Sequence, residues 1–138
     1  MDVRALQTDG FVTVRYPAAM RRAVHAAMAS WIRFCELSDA AKRRLSGGDR
    51  IEDYGYVRRH DVGSKADNKE YFHLFQRRAP EFLEKSQEIS DLRALEFLQA
   101  GDSLIRAIEP LVMQFSREME RVYGMPGFAD LVEKSSDI

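Results

Sequence analysis

The sequence predicts a mainly α fold with a minor β component, in which a long C-terminal helix is packed by an N-terminal helix. Two apolar stripes of helical period predict these helices, one within Pro17–Leu37 and one within Asp91–Tyr123. The stretch between them, Asp53–Phe75, is polar, aromatic-rich and irregular, which indicates short edge strands rather than a core helix. We therefore expect a single domain over residues 1–138, with no linker and no internal repeat.

The N-terminal third predicts a strand followed by two helices. Gly10–Arg15 (GFVTVR) is rich in β-branched and aromatic residues, which favours a short strand. Pro17 opens the first helix, because its fixed φ suits a first helical turn. Apolar residues then recur at three- and four-residue spacing: Met20, Val24, Ala27, Met28, Trp31 and Cys35. Ser38 caps a second helix over Asp39–Leu45, which two glycines end.

The rest of the chain predicts two extended pieces, a helical turn and the long helix. The extended pieces lie around Tyr54–Arg59 and Glu70–Phe75, and the turn at Ala79–Ser86. The long helix has one apolar face: Leu95, Leu98, Ile105, Ile108, Val112, Phe115, Met119 and Val122. Ser90 or Asp91 caps its start, and Gly124 followed by a proline ends it.

Two further features concern the C-terminal part. Pro110 lies inside the long helical pattern and is expected to kink the helix, because it leaves the carbonyl of Arg106 without its donor. A short helix over Gly127–Lys134 follows.

Composition and charge exclude several classes of protein. With 21 basic and 22 acidic side chains, the chain has no general attraction for phosphate backbones or anionic membranes. No apolar run approaches membrane-spanning length. The single cysteine, Cys35, excludes an internal disulfide framework and suits a reducing compartment. We expect a cytoplasmic protein with neither nucleic-acid nor membrane partners, and a buried, unreactive thiol.

Local spacing gives no catalytic or metal site. His60 is followed directly by Asp61, and adjacent side chains of an extended segment point to opposite faces, so they do not form a facial triad. Glu70 and His73 match the Glu-x-x-His spacing of di-iron bundles, but those sites need a second such motif. There is no nucleophile elbow and no phosphate loop. We predict no catalytic residue and no metal ligand in this chain.

The aromatic and basic residues of Asp53–Phe75 predict a ligand-facing surface. In an extended segment Tyr54, Tyr56 and Arg58 share one face and offer stacking rings with a carboxylate-binding fork. An amphipathic strand whose Arg58 is salt-bridged to a local acid explains the pattern equally well. Both interpretations stay open from the sequence.

Several motifs follow one another along the chain: Asp9–Val14, the helix bearing Trp31 and Phe34, Leu37-Ser38 leading to Lys42, Tyr54-Gly55-Tyr56, Asp67…Lys69-Glu70-Tyr71-Phe72…Pro80, and the long helix ending near Tyr123-Gly124. In this order they resemble the N-terminal region of the isopenicillin N synthase-like Fe(II)/2-oxoglutarate-dependent oxygenases. Each motif alone is weakly specific, whereas their order covers nearly the whole chain.

The resemblance implies a region that packs around a jelly roll and frames its substrate pocket. Tyr56, Arg58, Tyr71 and His73 would then face the pocket. In that family the jelly roll carries a His-x-Asp…His iron triad and the arginine that binds 2-oxoglutarate. No His-x-Asp occurs here, and everything after Asp91 is predicted to be helical, so a jelly roll of about eight strands cannot form.

We therefore expect the N-terminal part of an oxygenase, cut before its catalytic core and inactive alone. Fe(II), 2-oxoglutarate and a small-molecule substrate are implied only for a full-length relative. The alternative is a non-catalytic helical module for protein interaction or dimerisation, because Leu104 and Leu111 widen the apolar stripe of the long helix. In either case the long helix would bind a partner, the missing core or a second copy.

Overall fold

A computed structural model describes residues 2–47, 54–59 and 69–135, and these residues are mostly helical. The helices are α1 (Ala5–Thr8), α2 (Ala18–Cys35), α3 (Asp39–Arg43), α4 (Ala79–Gln87), α5 (Leu92–Tyr123) and α6 (Phe128–Ser135). The strands are β1 (Gly55–Arg59) and β2 (Lys69–His73), and a 3₁₀ turn over Gln76–Arg78 leads into α4. The prediction of a mainly α fold with a minor β component is confirmed.

Helices α2 and α5 pack against each other along the N-terminal half of α5. They run antiparallel, since Arg33 of α2 pairs with Glu96 of α5, whereas Glu36, directly after the end of α2, pairs with Arg93. Between them the rings of Phe34 and Phe97 lie 4.6 Å apart, centroid to centroid. Stacked and tilted ring pairs of this kind add to the area that each ring buries.

Strands β1 and β2 form an antiparallel sheet in which Tyr56 lies opposite Phe72. The other edge of β1 is occupied by the chain after α3, because Tyr56 N–H donates to the Leu45 carbonyl at 3.0 Å. Gly55 makes this approach possible. Its φ is +84°, and a Cβ there would lie 2.2 Å from the Leu45 carbonyl oxygen, so no residue with a side chain fits without a backbone shift.

The core lies where the sheet covers the α2–α5 pair and α4. Phe34, Phe82 and Leu45 are completely buried, and Phe72 packs edge-on against both Phe34 and Phe82. Ala94 and Leu98 of α5 belong to the same core. These contacts explain why Ala94, Phe97 and Leu98, three of the four buried residues of α5, lie near its start; the fourth is Ser116.

The C-terminal half of α5 is covered less completely. The α6 helix folds back on it, and its Ala129 N–H donates to the Glu120 carboxylate at 3.0 Å. The Tyr123 hydroxyl donates to the carbonyl of Val3, which ties the N-terminus to the end of α5. In this described region, every apolar side chain of α5 from Leu104 to Val122 is only partly buried.

Most predicted helix boundaries are confirmed. The Ser38 hydroxyl accepts from Ala41 N–H at the start of α3, and Asp91 caps α5. Gly124 ends α5 with a φ of +63°. The helix continues as one element through Pro110. Two helices are shorter than predicted, since α2 ends at Cys35 and α3 at Arg43, while the turn predicted at Ala79–Ser86 is a nine-residue helix.

The predicted strand Gly10–Arg15 is wrong for this structure. Residues 11–17 have no regular secondary structure and pair with neither strand of the sheet in the described ranges. The four-residue helix α1 was not predicted, and it has no side-chain cap to signal it. The predicted features at Gly48, His60 and Asp61 lie outside the described residues.

Candidate functional site

The four residues predicted to face a pocket lie on two opposite faces of the sheet. Strand register places Tyr56 and Arg58 opposite Phe72 and Glu70, so these four side chains share the inner face. Tyr71 and His73 alternate with them and lie on the outer face, where their rings are 4.8 Å apart. The predicted shared face of Tyr56 and Arg58 is present, but a common site for all four residues is not formed.

A charged cluster lies where β1, β2 and α3 meet, and we name it the Lys42 cluster: Asp39, Lys42, Tyr56, Arg58 and Glu70. The Lys42 side chain is only 3% exposed, and its Nζ donates to Glu70 Oε2 at 2.9 Å and to the Cys35 carbonyl at 3.1 Å. Asp39 lies 3.6 Å from the same ammonium. A lysine this deeply buried is retained as an ion only because it is paired.

Arg58 forms ion pairs with carboxylates of its own chain. Its Nη1 donates to Asp39, and its Nε lies 3.7 Å from Glu70 Oε1, beyond hydrogen-bond range. Of the two interpretations left open by the sequence, the structure therefore shows the salt-bridged arginine. The Nε is buried and makes no hydrogen bond within the described part of the chain.

The Tyr56 ring is a core residue rather than a surface platform. It is 2% exposed, packs edge-on against Phe34, and receives the Lys42 ammonium 5.5 Å from its centroid. Its buried hydroxyl has no hydrogen-bond partner among the described residues. Burial, followed by the negative charge of Glu70, raises the pKa of Tyr56.

The electrostatics around Lys42 favour the charged form of this lysine and the neutral forms of Tyr56 and Cys35. Burial on its own would lower the pKa of Lys42, but the hydrogen bond to Glu70 and the surrounding negative charge outweigh it and raise this pKa. Burial and then Glu70 raise the pKa of the neighbouring Cys35 thiol. A thiol shifted in this direction stays protonated and is a poor nucleophile. The cluster thus joins the sheet to α3 and activates no nucleophile.

Beside β2 lies an open groove of about 460 Å³, which we name the apolar groove. Its walls come from α2, α5, β2 and the residue after β2, chiefly Met28, Trp31, Phe72, Leu74, Phe97 and Leu104. Glu70 and Tyr71 also line it, so three consecutive residues of β2 face the groove. This happens when a groove runs along the edge of a strand rather than over one of its faces. The volume is within the range of ligand pockets.

Sequence reasoning missed most of these groups as site residues. Lys42 and Glu70 were noted only as parts of separate motifs, since their contact joins residues 28 apart in the chain. The groove residues Trp31 and Phe97 have the helical spacing of core positions, which gives no sign that one side of each ring borders a groove. Tyr71 is the predicted residue that lines it.

The described residues offer no iron site. Among them, no group of three or more His, Cys, Asp or Glu side chains could hold a metal ion. Glu70 and His73, which share the spacing of di-iron ligands, lie on opposite faces of β2. In the part of the chain that the structure describes, no helix is both long enough and apolar enough to cross a membrane.

Fold and site together define a mostly helical fold with a two-stranded sheet, a charged cluster around the buried Lys42, and an apolar groove. Comparison with family models, with curated proteins and with solved structures finds no match to this chain.

Proposed function

We propose that this chain is the N-terminal, substrate-framing portion of an Fe(II)/2-oxoglutarate-dependent oxygenase. The hydrogen bond between Lys42 and Glu70 is the observation that carries the proposal. It joins the segment Leu37-Ser38…Lys42 to the segment Asp67…Glu70-Tyr71-Phe72, and these are two of the segments on which the resemblance depends. Two separated motifs that meet in one partly buried ion pair support a common structural origin.

Uncovered apolar surface supports a further protein layer in the complete enzyme. Phe11 is 63% exposed and Tyr16 44% exposed, within a segment whose composition favours a strand. The partly buried apolar face of α5 beyond Leu104 adds to this surface. A jelly-roll core would offer both a sheet edge for the segment and a packing face for the helix.

Within this proposal the four candidate residues have different roles. Tyr71 and His73, on the outer face of β2, are the groups that would frame a substrate. Tyr56 and Arg58 hold β1 in place from the inner face, where their side chains meet the core and the Lys42 cluster. Fe(II) and 2-oxoglutarate would be bound by the core rather than by this chain.

An activity assay tests the catalytic part of the proposal. The purified chain, incubated with Fe(II) and 2-oxoglutarate, is expected to form no succinate, because the iron ligands belong to the core. Stoichiometric Fe(II) binding accompanied by succinate formation would show that the chain is itself an enzyme.

The coding sequence beyond the codon for Ile138 tests the family assignment. A continuation with a His-x-Asp motif and a distal histidine is the expected result, since these residues complete the iron site. A stop codon directly after Ile138 would contradict the proposal and favour a self-contained module.

A helical interaction module is the second candidate, and exposed apolar residues on α2 favour it. Met28 is 60% exposed and Ile32, one turn further on, is 62% exposed. Adjacent exposed apolar residues of this size mark protein contacts more often than isolated ones. Light scattering distinguishes the candidates for the isolated chain: a module that self-associates gives a stable dimer mass, whose loss in Ile32→Lys would identify α2 as the contact.

A further inference from the structure

The outer edge of β2 is an open hydrogen-bonding edge. Tyr56 N–H donates to Leu45, so the backbone of Tyr56 points away from β2. In an antiparallel ladder two directly opposed residues either bond each other or both point outward. Phe72, opposite Tyr56, therefore points its N–H and C=O outward, and so does Glu70 two residues earlier. Within the described residues these outward groups make no backbone hydrogen bond.

The open edge of β2 forms one wall of the apolar groove. The groove is lined by three consecutive β2 residues, Glu70 to Phe72, and its opposite wall consists of apolar side chains from α2 and α5. Gly101 lets Leu74 pack closely against α5 at this wall of the groove, because a Cβ there would lie 2.7 Å from Leu74 Cδ2. An occupant thus meets backbone donors and acceptors on one side and aromatic or aliphatic surface on the other.

We propose that the apolar groove binds an extended segment of a partner protein, which adds to the outer edge of β2 as a third strand. An added strand continues the β1–β2 ladder at the usual spacing of about 4.8 Å and bonds the outward groups of Glu70 and Phe72. Alternate side chains of the segment would be apolar and would contact Trp31, Phe97 and Leu104. A helix or a compact apolar molecule would fill the groove but leave the strand edge unbonded. This inference is independent of the proposed oxygenase function.

The charge that lines the apolar groove does not oppose the binding of an uncharged peptide backbone at the outer edge of β2. Glu70 is the charged residue among those lining the groove, and its carboxylate is already bonded to Lys42. The groove therefore neither attracts a cationic ligand strongly nor repels a neutral strand. Exposed strand edges in natural proteins are usually covered or blunted, and this one carries neither a proline nor a bulge within Lys69–His73.

A phage-displayed library of random octapeptides, screened against the intact chain, provides the probe. Selected peptides are expected to alternate apolar and polar residues. For the tightest binder, made as a synthetic peptide, N-methylation at every second residue should abolish binding in one register and leave it nearly unchanged in the other. That asymmetry arises because only alternate backbone groups of an added strand face β2.

Two lysine substitutions locate the site. Met28→Lys places a charge in the groove and should weaken peptide binding at least tenfold. Leu131→Lys is the matched control, since Leu131 is similarly exposed but lies on α6 and does not line the groove, and it should change binding less than twofold. Bound peptide should also slow amide hydrogen exchange at Glu70 and Phe72, while the amides of Tyr71 and His73, which belong to the β1–β2 ladder, should change little.

Several results would overturn the proposal. These are a screen that recovers no binder, binders that are helical by circular dichroism, and binding that Met28→Lys leaves intact. Equal effects of N-methylation in both registers would exclude strand addition. A chain that forms dimers which Met28→Lys dissociates would show that a second copy, and not a partner segment, occupies the groove.

Discussion

Lys42 shows how a single buried charge organises this molecule at the residue scale. Its ammonium reaches the Cys35 carbonyl, Glu70 and Asp39, which belong to the end of α2, to β2 and to α3. Burial of an ammonium is unfavourable unless each donor finds an acceptor. The same side chain therefore fixes three elements relative to one another, and Arg58 adds β1 to the group.

Glu70→Gln should destabilise the fold by about 2–3 kcal/mol, because it leaves the buried Lys42 ammonium without its nearest anion. Urea denaturation measures the loss. Glu96→Gln is the matched control, since Glu96 pairs with Arg33 at a similar distance but both side chains are about half exposed. Glu96→Gln should lower the free energy of unfolding by no more than about 1 kcal/mol. Equal losses in the two variants would show that the Lys42 cluster has no special structural role.

At the scale of elements, glycine conformation decides how β1 begins and how α5 ends. Gly55 and Gly124 both have positive φ, but their surroundings differ. The Gly55 Cα faces the Leu45 carbonyl and the Phe82 ring, whereas nothing lies within 4 Å of a Cβ built on Gly124. At Gly55 a side chain would be disfavoured both by the positive φ and by a steric clash. At Gly124 it would be disfavoured by the positive φ alone.

Gly124→Ala should therefore lower the free energy of unfolding by about 1 kcal/mol, because a residue with a Cβ is strained in the left-handed conformation. Gly55→Ala should cost more than about 3 kcal/mol, because the clash with the Leu45 carbonyl is added to the same strain. Thermal unfolding of both variants gives the comparison. Similar melting temperatures for the two would mean that the chain after α3 moves aside without loss.

The surroundings of Asp91 at the start of α5 predict that the free energy of unfolding depends on pH. Hydrogen bonds from the Arg93 side chain and then its backbone N–H lower the pKa of Asp91 from 3.8 to about 2. Because the folded pKa lies below the unfolded one, the stabilisation is complete above about pH 4 and is lost as the pH falls toward 2. Asp91→Asn keeps a capping side chain but removes the charge, so its stability should fall less over this interval.

Urea midpoints measured between pH 5 and pH 2 test this expectation for Asp91. Asp9→Asn, at an exposed position in a different element, serves as the control and should follow the unmodified protein. If Asp91→Asn and the unmodified protein lose stability in parallel, the ion pair at the start of α5 does not contribute to the acid transition.

At the scale of the whole molecule, one aromatic network joins the helices to the sheet. Phe34 is fully buried and contacts four other rings, those of Trp31, Tyr56, Phe72 and Phe97. These rings come from α2, β1, β2 and α5, so the network connects the N-terminal and C-terminal halves of the chain. The remaining length of α5 is packed by α6, which covers it only in part.

Phe34→Ala should destabilise the protein by about 3–5 kcal/mol, because the cavity would open at the centre of this network. Such a loss is a large share of the total stability of a small domain. Phe11→Ala, at a 63% exposed position, should change stability by less than about 0.5 kcal/mol. Chemical denaturation of both variants measures the difference, and a small effect of Phe34→Ala would place the core elsewhere.

The sequence by itself determined the local elements that depend on neighbouring residues. The stripes of α2 and α5, the Ser38 and Asp91 caps and the Gly124 stop are all encoded within a few residues of where they act. The same is true of the alternation that places Tyr56 and Arg58 on one face. The strand predicted at Gly10–Arg15 failed because a strand also needs an edge to pair with, and composition does not supply one.

Only the tertiary structure decided which side chains meet. The Lys42–Glu70 pair, the salt-bridged state of Arg58 and the apolar groove all join residues far apart in the chain, and no local period records such contacts. Arg58 illustrates the reason. An extended segment fixes the face on which a side chain lies, but the packing of α3 against that face determines whether the side chain meets a ligand or Asp39.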